Sequence, residues 1–430
     1  MINEYDYNDS CIEGSNIGIS KSVREEQLRN LVLTIKIPVS IANKTKGWKY
    51  KDKTTLNLLI ANLIQKQDKI YYSRDTSVTI PKKYNPKNIS NYKIVNAVDY
   101  LHNEGLITSF IAPKRFNTHE KAVKEVSWCR ATSELIEMFE DCNEEVNQSM
   151  IADRQCVLLK SNEGDLVNYR DNNKSSYVRD RLQFYNVFAS TVSVTYDGTP
   201  LTTVLDAHFK ESFDQYGRLY ARGNSYQTMP KTHRHSILVD GSPTVEIDFS
   251  CLHLRMLFDM YKLHDYVDGV VDLYSLVTCN TSDRPLVKEA VNIYMNAKTR
   301  GSAILALAQK MRENYQNSSF SSARDVIECV EESFSFLFKN ESIMANLRCG
   351  NKPIGAMLQN RESEMCLDII SSLAEVKIFV GAIHDSFFFK FEDYDVVSNV
   401  IGNTYRKHMS VLRPVDVSVI FNGYSYKEKI

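Results

Sequence analysis

The chain has no Cys-x-x-Cys pair, although it carries nine Cys. Zinc ribbons and fingers need thiols clustered in such pairs, so the scattered pattern excludes them. It also makes a poor disulfide frame, and we read these residues as reduced thiols in a cytosol. No apolar run approaches the roughly 20 residues of a transmembrane helix. The opening segment, Met1-Ile-Asn-Glu-Tyr-Asp-Tyr-Asn-Asp9, is acidic and polar, unlike a signal peptide. A cytoplasmic protein that uses no membrane is therefore expected. There is no excess of charge of either sign, the formal net charge being -1. That excludes bulk coating of nucleic acid but not a local basic groove, because the sum hides the distribution. Internal repeats and low-complexity tracts are absent as well.

What remains is an ordinary globular composition, 43% hydrophobic and 24% charged. A length of 430 residues sets a prior of two or three domains. Residues up to about Arg24 have the composition of a poorly ordered tail. Residues 24–141 suggest a winged helix. One helix covers Val23 to Thr34, a second runs through Leu56 to Ile64, and a third begins near Ser90. The third carries Ile94, Val95, Val98 and Leu101 on one face and stops at Gly105, a residue suited to a left-handed cap. Two short strands follow, Leu106 to Ala112 and Ala122 to Cys129, with the basic segment Pro113 to Lys121 between them as a wing. A helix from Ser133 to Glu140 closes the unit. Such a unit binds DNA through its third helix and wing, or serves as a packing module. Residues 142–210 read as a linker or thumb-like helical region. It holds a strand at Cys156 to Lys160 and a helix from Tyr177 to Phe188 that exposes Arg179, Arg181 and Asn186.

The chemistry concentrates in residues 211–430. In Thr244-Val-Glu-Ile-Asp248, Val245 and Ile247 alternate with polar residues, the signature of a strand. An apolar-faced helix follows, through Leu252, Leu254, Met256, Leu257 and Met260. Asp248 thus sits at the end of a strand. Downstream, Lys377 to Lys390 reads as a hairpin with His384-Asp385-Ser386 at its tip. Two Asp, each presented by a strand, can hold two Mg²⁺ ions for phosphoryl chemistry. Either Asp alone could equally be a turn former or a helix N-cap. Between them, Arg284 and Lys288 stand four residues apart, so a helix puts them on one face. Two cations there suit a triphosphate, and a solvated basic stripe is the plainer alternative. Asn296, on the same helix, is a poor helix former and hints at a role. Gly217-Arg218 combines a residue that permits close backbone approach with a guanidinium that can fork onto phosphate. Gln359 lies early in the long helix that leads to the hairpin, and Val415 to Ile420 reads as a last strand beside that hairpin.

In this order the motifs resemble the core shared by family A DNA polymerases and single-subunit phage-type RNA polymerases. Asp214-Gln-Tyr-Gly217-Arg218 resembles the Asp-x-x-Gly-Arg element. Asp248 to Arg255 resembles motif A, Arg284 and Lys288 the start of motif B, and His384-Asp385 motif C. The likeness spans roughly residues 205–430. It is greatest to the small polymerases and primase-polymerases of plasmids, phages and mobile elements. It implies an α+β fold: a right-hand polymerase palm of antiparallel sheet with helical fingers, preceded by a helical region containing the winged helix. It implies a DNA-directed DNA polymerase that acts on a DNA template-primer with dNTPs. Asp248 and Asp385 would hold two Mg²⁺, with His384 near the primer terminus. Arg284, Lys288, Asn296 and His253 would face the nucleotide. Gly217, Arg218 and Gln359 would face nucleic acid. Three positions depart from the pattern. Asn296 and Ala297 replace the Tyr-Gly of motif B, and His253 replaces the Glu or Gly that screens the sugar. A single-subunit RNA polymerase or primase using rNTPs is therefore the first alternative. A non-catalytic winged-helix DNA-binding protein is the second. The pattern leaves room for an accessory protein and shows no clustered acidic motifs of a proofreading exonuclease.

Overall fold

The structure, a computed structural model, describes residues 31–66, 68–75, 79–112, 127–221, 224–348 and 354–430. The expected tail, most of the first expected helix and the whole wing lie outside the described residues. The chain divides into two compact units, Met1–Arg154 and Gln155–Ile430. This division differs from the expected boundaries at 141 and 210. Residues 142–154 complete the first unit, and residues 155–210 are integral to the second.

The first unit contains α1 (Val39–Lys44), α2 (Lys53–Lys66), β1 (Ile70–Tyr71), α3 (Asn91–Asn103), β2 (Ile107–Phe110), β3 (Trp128–Ala131), α4 (Ser133–Met138) and α5 (Asn143–Ala152). Residues 31–34 are irregular, so the first expected helix does not reach them. Every residue of α2 from Thr55 to Ile64 is buried, which makes it the central element. Its buried Asn62 is satisfied by the backbone N–H and C=O of Val32. Ser90 caps the N-terminus of α3. At its other end Leu106 N–H reaches Leu101 O, and Gly105 N–H reaches His102 O, closing a Schellman motif around Gly105 at φ +75°. The three strands form an antiparallel sheet with β3 in the middle.

In the second unit the elements are β4 (Val157–Lys160), α6 (Asn173–Ala189), β5 (Val194–Tyr196), β6 (Thr199–Pro200), β7 (Leu205–Lys210), β8 (Ser212–Ala221), α7 (Lys231–Arg234), β9 (Ile237–Val239), β10 (Ser242–Phe249) and α8 (Leu252–Met260). A helical stretch follows, α9 (Arg284–Asn296), α10 (Arg300–Asn314), α11 (Ala323–Ser333), α12 (Ser335–Phe338) and α13 (Glu341–Arg348). The chain then returns through α14 (Ile354–Glu375), β11 (Gly381–Ile383), β12 (Ser386–Lys390), α15 (Tyr394–Met409), β13 (Asp416–Phe421) and β14 (Tyr424–Lys429).

This is an α+β arrangement. Strand β10 is central to an antiparallel sheet, with β12 along one side and β13 along the other. The strand expected last, β13, therefore lies across β10 from the hairpin, not directly beside it, and β14 follows it. A smaller sheet, ordered β4-β7-β8, contains one parallel pair, β4 with β7. The long helix α14 packs against β8, α6 and α15. Both faces of β10 are buried, with Thr244 and Glu246 inside. Glu246 is accommodated because Ser386 Oγ donates to it and Arg234 lies 3.5 Å away. Asn186, expected to be exposed, is also buried, and its carboxamide bonds both backbone groups of Leu205.

Candidate active site

Asp248 lies at the end of β10, opposite Ser386 on β12 and Ser418 on β13. The turn between β11 and β12 consists of His384 and Asp385. Phe249 N–H donates to Asp385 O at 3.1 Å, so the turn is bonded to the end of the Asp248 strand. The Asp385 turn is thereby fixed beside the strand that carries Asp248. Burial, followed by the charges of Asp248 and Glu362, pushes the Asp385 carboxyl up to about 6. Lys231, on the short α7, places Nζ 2.8 Å from Asp248 Oδ2.

After Asp248 the chain reverses into α8 through Cys251, whose φ of +55° is left-handed. The first turn of α8 presents His253. Its Nε2 lies 2.7 Å from Oε2 of Glu362, a residue of α14. Arg218, on β8, forks onto the same carboxylate, with Nε at 3.0 Å and Nη2 at 2.8 Å. Only 3% of the Glu362 side chain is exposed. Burial alone would raise its pKa. The His253 bond and the Arg218 charge outweigh that and hold it at about 2. Glu362 therefore joins β8, α8 and α14 in one charged network.

His384 adopts a left-handed φ of +58°. Burial, then the Arg218 cation, lowers its imidazole to about 4, so it is neutral at pH 7. Its ring meets Tyr220 edge-on with centroids 5.5 Å apart. Its Nδ1 has no hydrogen-bond partner among the described residues. Arg218, Leu219, Glu362, Ser363, Cys366 and His384 line a recess of about 10 Å³. That is room for about one water.

The other sequence candidates are distributed as follows. Arg284 opens α9 but is not a free cation, because it forks onto Asp272 with Nε at 2.5 Å and Nη2 at 3.2 Å. Asp272 also accepts from Cys251 Sγ at 3.5 Å, which ties Arg284 to the turn after Asp248. Lys288, one turn along α9, is exposed and has no carboxylate partner among the described residues. Asn296 is occupied structurally. Its Oδ1 accepts Gly355 N–H at 3.0 Å at the start of α14, and its Nδ2 donates to Asn292 O. Gln359 is half-buried on α14.

Gly217 sits within strand β8 and not in a free turn. It has φ +93°, next to Tyr216 at φ +60°, and the register against β7 is shifted there. A Cβ on Gly217 would stand 2.6 Å from the Phe209 ring and 3.0 Å from Ser363 Oγ. The close approach that Gly permits is thus to Phe209 and to α14. The adjoining bulge is held by Asn360 and Ser363, both of which donate to Tyr216 O.

Asp248, Asp385, His384, Arg218 and His253 therefore converge. Two residues of this site escaped sequence reasoning. Glu362 carried a usable signal. Leu358, Glu362 and Cys366 recur at four-residue spacing, so Glu362 falls on the buried stripe of α14. A carboxylate on such a stripe needs a cationic partner. Lys231 carried none, because nothing local pairs it with a residue of β10.

Among the described residues no group of three or more His, Cys, Asp and Glu is arranged to hold a metal. The donor set at the strand ends is two carboxylates. Mg²⁺ is commonly bound by one or two carboxylates together with waters and substrate phosphates. The residues present fit that ion. No helix among the described residues is long and apolar enough to cross a membrane.

No protein-family model matches the chain, and no curated protein sequence is significantly similar to it. Among solved structures, the POL domain of Pol1 from M. smegmatis, in complex with DNA primer-template and dNTP, is 12% identical with a TM-score of 0.33. The match covers 66% of this chain and 54% of that one, so the chain spans about half the length of that structure. Likeness at this level carries no argument about fold or chemistry.

Proposed function

We propose that this chain is a template-directed nucleotidyltransferase, a DNA-directed DNA polymerase that extends a primer with dNTPs. One observation carries the reading. Asp248, near the end of β10, and Asp385, in the turn that leads into the neighbouring β12, are bonded together through their backbones, and burial together with the charge of Asp248 holds Asp385 up at about 6. Charge repulsion of this kind favours a cation at the pair, and Mg²⁺ would take over from Lys231 Nζ, which meets Asp248 at 2.8 Å. The order of the sequence motifs supports the same reading.

In this proposal Asp248 and Asp385 hold Mg²⁺. When bound, the ions supply charge stabilisation at the attacking and leaving oxygens of an in-line displacement. The chain's own residues position the rest. Glu362 orients Arg218 beside the carboxylates and steers the His253 ring. His384, neutral at pH 7, offers an unpaired ring nitrogen without adding charge. Lys288 is the cation on α9 that is free to meet a triphosphate. Arg284 can contribute only by sharing or releasing Asp272. The RNA polymerase or primase alternative draws on one observation. The position that would screen the sugar is a His bound to Glu362, which limits how far the ring can swing toward a nucleotide.

The test is primer extension on a DNA template, with dNTPs and rNTPs in parallel, with and without primer. Asp248→Asn and Asp385→Asn should each lower incorporation roughly a thousandfold or more. DNA binding and folding should be retained. Substantial extension by both variants would overturn the two-metal assignment. Extension by wild type with rNTPs alone would move the reading to the RNA polymerase or primase.

A further inference from the structure

The connection between α1 and α2 reads Lys44-Thr-Lys-Gly-Trp-Lys-Tyr-Lys-Asp-Lys53, five Lys and one Asp in ten residues. In a chain of net charge -1 this is a concentrated positive segment. Its shape is set from within. Lys53 Nζ donates to Thr45 O and to Trp48 O, each at 2.6 Å. Thr45 Oγ1 donates to Asn57 Oδ1 at 2.7 Å. The half-buried rings face inward: Trp48 lies against Tyr100 and Phe139, and Tyr50 lies against Tyr100 with centroids 5.1 Å apart.

The cations of this face fall into two groups. Lys44 is paired with Asp141, and Asp52, the segment's single acid, is paired with Lys93 of α3. Lys46, Lys49 and Lys51 are exposed and have no carboxylate partner among the described residues. Around Tyr50 the pattern alternates, with Trp48 and Tyr50 turned inward and Lys49 and Lys51 outward. Three cations are therefore held on an ordered scaffold beside α3, where Tyr92 is 59% exposed.

We propose that this lysine loop, beside α3, is a phosphate-backbone contact for nucleic acid. Charge complementarity selects the occupant. Ammonium groups are point charges that neutralise phosphates without reading bases. An anionic membrane would also attract them, but interfacial binding needs aromatic or aliphatic side chains free to insert. Here Trp48 and Tyr50 are half-buried against Tyr100 and Phe139, and Tyr92 by itself gives little apolar surface to insert. The choice of nucleic acid rests on the polymerase reading, but the loop can be tested apart from it.

The experiment uses the full-length chain in EDTA without nucleotide and follows the anisotropy of a labelled DNA duplex across a salt series. Lys46→Glu/Lys49→Glu/Lys51→Glu should weaken binding at least tenfold at low salt. The corresponding Gln variant should reduce the salt slope by about two to three, close to one unit per lost phosphate contact. Unchanged thermal unfolding of the Gln variant separates this from misfolding. Lys36→Glu/Lys69→Glu/Lys82→Glu controls for net charge, and an equal loss there would overturn the proposal. Unchanged affinity and slope in the loop variants would overturn it too. So would loop-dependent capture on phosphatidylserine vesicles with no effect on DNA. Duplex binding by the loop variants and the extension defect of Asp248→Asn therefore report separately on the loop and on the polymerase reading.

Discussion

Glu362 is a nearly solvent-free carboxylate held by groups from two other elements, and its removal should be felt in several places at once. Glu362→Gln leaves the Arg218 guanidinium partly buried without its counter-charge, an imbalance worth about 3 to 5 kcal/mol. Its folded pKa of about 2 lies below the ordinary 4.5, so the stability it supplies is present above pH 4.5 and is lost as pH falls toward 2. Urea midpoints should differ most between wild type and Glu362→Gln near pH 7, and the gap should narrow on acidification. A gap that does not vary with pH would refute the charge argument. Asp385 works in the opposite sense. Its folded value of about 6 lies above the ordinary 3.8, so its contribution is favourable below pH 3.8 and is lost as pH rises through 6. In EDTA, Asp385→Asn should therefore be more stable than wild type above pH 6, by on the order of 2 kcal/mol. Above pH 6, a stability equal to or below that of wild type would contradict the burial and charge repulsion that raise Asp385. For His253 the expectation concerns sugar choice. His253→Gly should improve the rNTP-to-dNTP ratio in kcat/KM about ten- to a hundredfold. An unchanged ratio would show that the ring, held on Glu362, does not screen the sugar.

At the scale of elements, two close approaches help join α14 to β8 and to α9. Gly217→Ala would force a side chain into a left-handed residue and against the Phe209 ring. A loss of about 2 to 4 kcal/mol is expected from strain and overpacking. Chemical denaturation measures it, and a loss under 1 kcal/mol would mean that the β8 bulge relaxes freely. Asn296 joins the end of α9 to the start of α14, and Gly355 leaves no room there for a Cβ beside the Asn296 carboxamide. Asn296→Ala should then cost about 1 kcal/mol of stability, the usual value of a lost cap. If it raised the KM for nucleotide without changing stability, the nucleotide-facing role would be restored and the cap would be incidental.

At the scale of the whole molecule, the division after Arg154 makes a further prediction. Residues 155–430 should fold alone, because the sheet around β10, α14 and their shared core all lie within that unit. The fragment should keep some incorporation on a pre-annealed primer-template. It should bind DNA more weakly and with a shallower salt dependence than the full chain, having lost the lysine loop. Equal affinity and slope would show that the first unit does not touch nucleic acid.

Much was legible in the sequence because it is local. The strand ending at Asp248, the His384-Asp385 turn and the Gly105 cap depend on residues a few positions apart, and side-chain periodicity reports such elements directly. Tertiary structure decided which charges remain free. Arg284 and Lys288 look alike in sequence, yet among the described residues Arg284 meets a carboxylate, Asp272, twelve residues before it, and Lys288 meets none. Arg218 and His253 look like free ligands for nucleic acid and nucleotide until Glu362 arrives from more than a hundred residues downstream. Glu246 looks solvated until Ser386 and Arg234 close over it. A carboxylate's partner is set by whichever element packs beside it. Burial then decides whether that pairing costs or stabilises, and neither packing nor burial is encoded at the spacing of neighbouring residues.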